Sequence, residues 1–115
     1  MTNQTESDAQ RALRALAERL RDGPIAVWAT LREDTYETRF GDGYYAYVDQ
    51  VFLKPTDAAR AIERAGEAGM IKRHIRRYDL SQRGGRIGIA PSPTAQEPTT
   101  VEVLASKLLD AGLIP

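Results

Sequence analysis

Residues 25–32 read IAVWATLR, with Ile25, Val27, Ala29 and Leu31 alternating against Ala26, Trp28 and Thr30. Period-two spacing belongs to a β-strand, whose successive side chains point to opposite faces. Both sets here are largely apolar. Such a strand has to be covered on both sides, so it claims a central place in a sheet with material packed on each face. Trp28 suits that place better as a covered core residue than as an exposed ligand platform.

The flanking segments supply candidates for the cover. Ser7 and Gln10 have capping-box spacing, and Ala9, Ala12, Leu13, Leu16 and Leu20 recur at helical intervals until Gly23-Pro24 stops them. Arg11, Arg14, Glu18, Arg19 and Arg21 leave the other side of that helix polar. Near the C-terminus, Val101, Leu104, Ala105, Leu108 and Leu109 form a second amphipathic stripe. Thr99 with Glu102 gives its capping box, Gly112 its end, and Leu113-Ile114 a hydrophobic closure. A third helix is expected after Pro55, with Thr56 as cap, Asp57 at its positive end, and the small residues Ala58, Ala59, Ile62 and Ala65 on its packing face. Gly66 and Gly69 are expected to end it.

Between these helices the chain reads as strands. Glu33-Asp34 and Gly41-Asp42-Gly43 bracket a short strand at residues 35–40. Residues 44–53, YYAYVDQVFL, form the next strand, and a bend or bulge near Asp49-Gln50 would reconcile the two halves of its mixed pattern. Residues 70–80 form a fourth, residues 81–85 the turn after it, and Ile87 and Ile89 mark the return strand of a hairpin. Residues 91–98 are Pro/Thr-rich and expected to be irregular. The fold class is therefore α+β, with a mainly antiparallel sheet of about five strands in the order α-β-β-β-α-β-β-α. The expected core is Leu13, Leu16, Leu20, Val27, Ala29, Leu31, Val51, Leu53, Ile62, Ile75, Ile87, Ile89, Val101, Leu104 and Leu108.

A length of 115 residues supports one modest core. Residues 1–6 read as a disordered tail and 7–115 as a single domain. With no cysteine, disulfides, thiolate metal sites and cysteine nucleophiles are excluded. One histidine leaves no paired-histidine metal motif, and neither a metal nor a cofactor is expected. No apolar run reaches membrane-spanning length and the N-terminus lacks a signal core, so a cytoplasmic protein without a membrane partner is expected. The alanine- and arginine-rich usage is that of a high-GC bacterial or phage source.

Sixteen basic and sixteen acidic residues leave no net charge, which argues against a generic polyanion binder. The charges are nonetheless segregated. Glu33, Asp34, Glu37, Asp42 and Asp49 crowd one stretch, while Lys72, Arg73, His74, Arg76, Arg77, Tyr78, Arg83 and Arg86 make residues 70–86 a basic strand and turn. Alternation splits that set, with Lys72, His74, Arg76 and Tyr78 on one face and Arg73, Ile75 and Arg77 on the other. These eight residues are the candidate partner-binding set. The leading expectation is a small non-enzymatic module that binds a protein partner, or a second copy of itself, through a charged sheet edge. A nucleic-acid-binding hairpin over residues 70–86 is the alternative. A third reading is a small-ligand pocket or enzyme site around Trp28, Tyr45, Tyr47 and Asp49. A fourth reading has the charge protect an edge strand from aggregation or pair with acids of the same chain.

Overall fold

The computed structural model describes residues 6–65 and 72–115, which form α1 (Asp8–Leu20), β1 (Ile25–Thr38), β2 (Gly41–Phe52), α2 (Pro55–Ala65), β3 (Arg73–Arg83), β4 (Arg86–Ala90) and α3 (Val101–Asp110). The α+β class holds, with four antiparallel strands in the order β2-β1-β3-β4. The expected fifth strand is absent because Glu33-Asp34 makes no turn. β1 runs straight through it, pairing Asp34 with Tyr45 and Tyr36 with Gly43 up to the turn at Arg39-Phe40. Likewise β3 continues through Ser81 and Gln82, and only Gly84-Gly85, both at positive φ, form its turn. The expected disordered tail falls mostly on residues 1–5, and Gly66, Gly69, Met70 and Ile71 also lie outside the described residues.

One face of the sheet carries the main core. Register puts Ile25, Val27, Ala29 and Leu31 of β1 beside Leu80 and Tyr78 of β3 and Val51 and Val48 of β2. Over them lie Ala12, Ala15, Leu16 and Leu20 of α1, with Leu104, Ala105 and Leu108 of α3. Each fully buried leucine contributes about 1.5–3 kcal/mol through removal from water. α1 is fastened at its start by the Ser7–Gln10 box, with both of its hydrogen bonds formed. For α3 the cap is Thr100, whose hydroxyl accepts from the Val103 N–H; Thr99 is instead buried. Ile114 folds back into the core, as expected of the C-terminal closure. Ala58 of α2 is buried apart from this cluster, and α2 shares a cleft with Thr30, Gln50 and Phe52, so it lies against the opposite face. α2 starts at Pro55, which places Thr56 inside its first turn.

One residue expected in the core and one expected on the binding surface change sides. Ile75 is 39% exposed, whereas Tyr78 is 1% exposed. The reason is register: Tyr78 sits across from Val27 on the helix-covered face, and Ile75 across from Thr30 on the other. Leu13, Leu53, Ile87, Ile89 and Val101 pack partly buried around the core.

The bulge expected near Asp49-Gln50 is present. Thr30 pairs with Gln50 and Leu31 with Val48, leaving Asp49 without a cross-strand partner. The Thr30 hydroxyl accepts the Gln50 N–H at 3.1 Å, so the irregular ladder is still satisfied. Past the bulge, β1 and β2 run out together beyond the end of β3. The pairing of β1 with β3 stops at Arg32 and Arg73, so, among the described residues, 34–45 form a two-stranded arm. It gives the molecule a long axis of 49 Å and a radius of gyration of 15.9 Å, against about 13 Å for a compact chain of this size.

Candidate functional site

The basic strand is β3, and its side chains alternate as the sequence implied. Most of its cations are already engaged. Arg73 Nε is 3.3 Å from Asp49 Oδ2, the carboxylate released by the bulge. Arg76 Nε donates to Glu97 Oε2 at 2.9 Å, while His74 Nε2 stands 3.1 Å from Glu97 Oε1 and its Nδ1 3.8 Å from Glu33. Arg77 Nε donates to Asp79 at 3.0 Å and its guanidinium lies 5.3 Å over the Trp28 ring. Arg83 and Arg86 flank the exposed Gly84-Gly85 turn and make no ion pair among the described residues. Lys72 is exposed, and its carbonyl accepts the Glu33 N–H at 3.0 Å.

Glu97 belongs to residues 91–100, the irregular connection to α3. That loop crosses the helix-side face beyond the helices, and its Gln96 carbonyl takes the Ala46 N–H on the outer edge of β2. His74, Arg76 and Glu97 are therefore a clamp that holds the loop to the sheet. Beneath the loop, the hydroxyls of Tyr78 and Thr99 are both buried, with no hydrogen-bond partner in proper geometry. Burial pushes the Tyr78 phenol above its ordinary value of 10.0; the nearby Thr99 hydroxyl opposes the shift in part, and the Glu97 charge adds to it. Tyr78, named among the partner-binding candidates, is thus a core residue.

The pocket candidates are dispersed. Tyr45 and Tyr47 form a ladder with Tyr36 from the base of the arm along one of its faces, each neighbouring pair of rings 6.0 Å apart. Trp28 lies under Arg77. Only Asp49 of the four lines the cleft of about 730 Å³ between α2, β2 and the end of α3, beside Arg60, Arg64, Lys107 and Asp110. Among the described residues no cluster of three His, Asp or Glu side chains could hold a metal ion, and no helix is long and apolar enough to cross a membrane.

The backbone of β3 matters more than its charges. Glu33 and Lys72 are hydrogen-bonded across to each other, and bonded pairs alternate along an antiparallel ladder. Hence His74, Arg76 and Tyr78 turn their peptide groups toward β1, while Arg73, Ile75 and Arg77 turn theirs outward. β4 covers that outer side only from Asp79 onward. Among the described residues, nothing hydrogen-bonds the outward groups from Arg73 to Arg77. Reasoning from sequence missed this open length, because it depends on where β4 stops. The short apolar run after Gly84-Gly85, ending at Pro91, was the signal available. Comparison of the chain with protein-family models, curated proteins and solved structures finds no match.

Proposed function

We propose that this chain is a small protein-interaction module that adds an extended segment of a partner to the open outer edge of β3. The observation that carries this reading is the row of peptide groups at Arg73, Ile75 and Arg77, unpaired among the described residues and bordered by arginines and by an exposed isoleucine. Edge addition takes affinity from main-chain hydrogen bonds and specificity from alternate side chains. Here the favoured segment is acidic with an apolar residue at its centre: it meets Arg73 and Arg77 on either side of Ile75. Symmetric pairing of two β3 edges about Ile75 is disfavoured, since it sets Arg73 against Arg77 of the other copy.

The nucleic-acid reading draws less support, because Arg73, His74, Arg76 and Arg77 each have a carboxylate within 3.3 Å. The test is selection of binding peptides from a displayed random library, followed by Ile75→Pro. The Ile75 N–H points away from β1, so proline there removes an outward donor and no internal bond. Selected peptides should be acidic and extended and should lose binding to Ile75→Pro. Equal binding to both proteins would sink the reading, and retention of single-stranded RNA with no peptide selected would replace it.

A further inference from the structure

The arm and the open edge have complementary chemistry. Residues 34–45 carry Asp34, Glu37 and Asp42 against Arg39 alone, and they expose Tyr36, Tyr44 and Phe40, the last at 94%. A two-stranded ribbon is marginal by itself in water, and aromatic groups projected this far into solvent are a recurring mark of a contact surface. The open edge has Arg73 and Arg77 around Ile75. Within one molecule the arm and the Arg83–Arg86 turn leave opposite ends of the sheet, because β3 is antiparallel to β1 and Ile25 pairs with Leu80. The long axis is thus acidic and aromatic at one end and basic at the other.

We infer that the arm of one copy docks on the open β3 edge of a second copy, extending the sheet head to tail. This rests on the edge-addition reading and names the occupant of that edge. Alternation makes the register specific. Thr38–Gly41 closes the arm turn, and the Ala46 N–H points outward to Gln96, so Asp42 and Tyr44 also turn their peptide groups outward. Antiparallel pairing then sets Asp42 opposite Arg77 of the second copy and Tyr44 opposite Ile75, an ion pair next to an aromatic–aliphatic pair. Arg77 already meets Asp79, but both side chains are more than half exposed, so that pair is weak and Asp42 can share it. Arm against arm would bring acid to acid. The interface is heterologous: each copy offers an arm and an edge, and assembly does not stop at two unless it closes into a ring.

The experiment uses the absence of cysteine in the chain. Tyr44→Cys and Ile75→Cys proteins are mixed and mildly oxidised, and sedimentation of the unmodified chain is measured over a wide concentration range at low and high salt. A covalent heterodimer should form in the mixture, and only traces of homodimer from either variant alone. The unmodified chain should grow beyond a dimer with concentration, less so at high salt. Asp42→Lys should weaken that association about tenfold, and adding Arg77→Glu should recover most of the loss. An isologous dimer insensitive to both variants overturns the inference. So does a monomer at every concentration. If that monomer still selects peptides lost with Ile75→Pro, the edge-addition reading survives without self-assembly; if it selects none, both fall.

Discussion

The two halves of β1 follow the same alternation to opposite ends. From Ile25 to Leu31 every odd residue is buried, with β3 alongside throughout, β2 alongside from Trp28 and two helices above. From Asp34 to Thr38 every residue is exposed, although the strand is just as regular and its pairing with β2 is unbroken. Local strand geometry is therefore not what makes a core. A third strand and a covering layer do, and both end near Arg32. Beyond that point, among the described residues, nothing buries Tyr44 or Phe40.

Substitutions sharpen the contrast, the greatest cost falling in the inner half. Leu16→Ala, under the α1 and α3 layer, should destabilise by about 2–5 kcal/mol, read as a lowered denaturant midpoint with unchanged slope. Loss below about 1 kcal/mol would show that the layer repacks freely around the cavity.

Glu97→Gln tests the boundary between the halves. Its carboxylate serves both His74 and Arg76 from a mostly shielded position. Breaking charge-assisted bonds there should cost about 1–2 kcal/mol and open residues 91–99 to limited proteolysis. If cleavage in the loop does not change, the clamp does not hold it.

Much of the inner half was legible. The period-two run, the Ser7–Gln10 cap and the α3 stripe each declare themselves within a few residues. The bulge at Asp49 was legible too, since YYAYVDQVF changes phase there. What stayed hidden is non-local. Whether Tyr78 or Ile75 faces the helices depends on register against Val27 and Thr30, some fifty residues earlier in the chain. That Arg76 and His74 meet Glu97 depends on the path of a Pro-rich loop with no periodicity to read. For the candidate site, the arginine row was visible but the open backbone beside it was not, because an edge is defined by where its neighbour stops.

Tyr78 links burial to pH. Its phenol is raised above 10.0 in the folded chain, so the unfolded chain loses that proton first as pH rises. Below about pH 10 both states keep it, and stability is unaffected. Above that, the unfolded state binds fewer protons and stability falls until the folded phenol also ionises. Tyr78→Phe should abolish that part of the alkaline loss. It should be close to neutral at pH 7, since the hydroxyl it removes has no bond to lose. A neutral-pH loss well above 1 kcal/mol would show that the Tyr78 hydroxyl is bonded in solution, to Thr99 directly or through a water.

Gly43→Ala moves the test into the arm. An added Cβ would run into the Tyr36 ring, which lies across the glycine from the neighbouring strand. The ring is partly exposed and can swing aside, so the global cost should stay below about 1 kcal/mol. The local change should be larger: Tyr36 leaves Tyr45, and the ring-current shifts of both tyrosines collapse in the NMR spectrum. Unchanged shifts would mean that the ladder is not held by this contact.

The smallest effect on the isolated fold is expected at the tip. Phe40 is the largest apolar group near full exposure, and it touches no part of the core cluster. Phe40→Ser should leave the denaturation midpoint within about 0.5 kcal/mol of the parent, the opposite extreme from Leu16→Ala in the same molecule. Its effect should surface only when a second surface is present, as weaker concentration-dependent association in sedimentation at low salt. A stability loss comparable to that of a core leucine would mean that the tip folds back onto the body in solution. An unchanged stability with unchanged association would show that the phenylalanine takes no part in the contact, leaving Asp42 and Tyr44 to carry it.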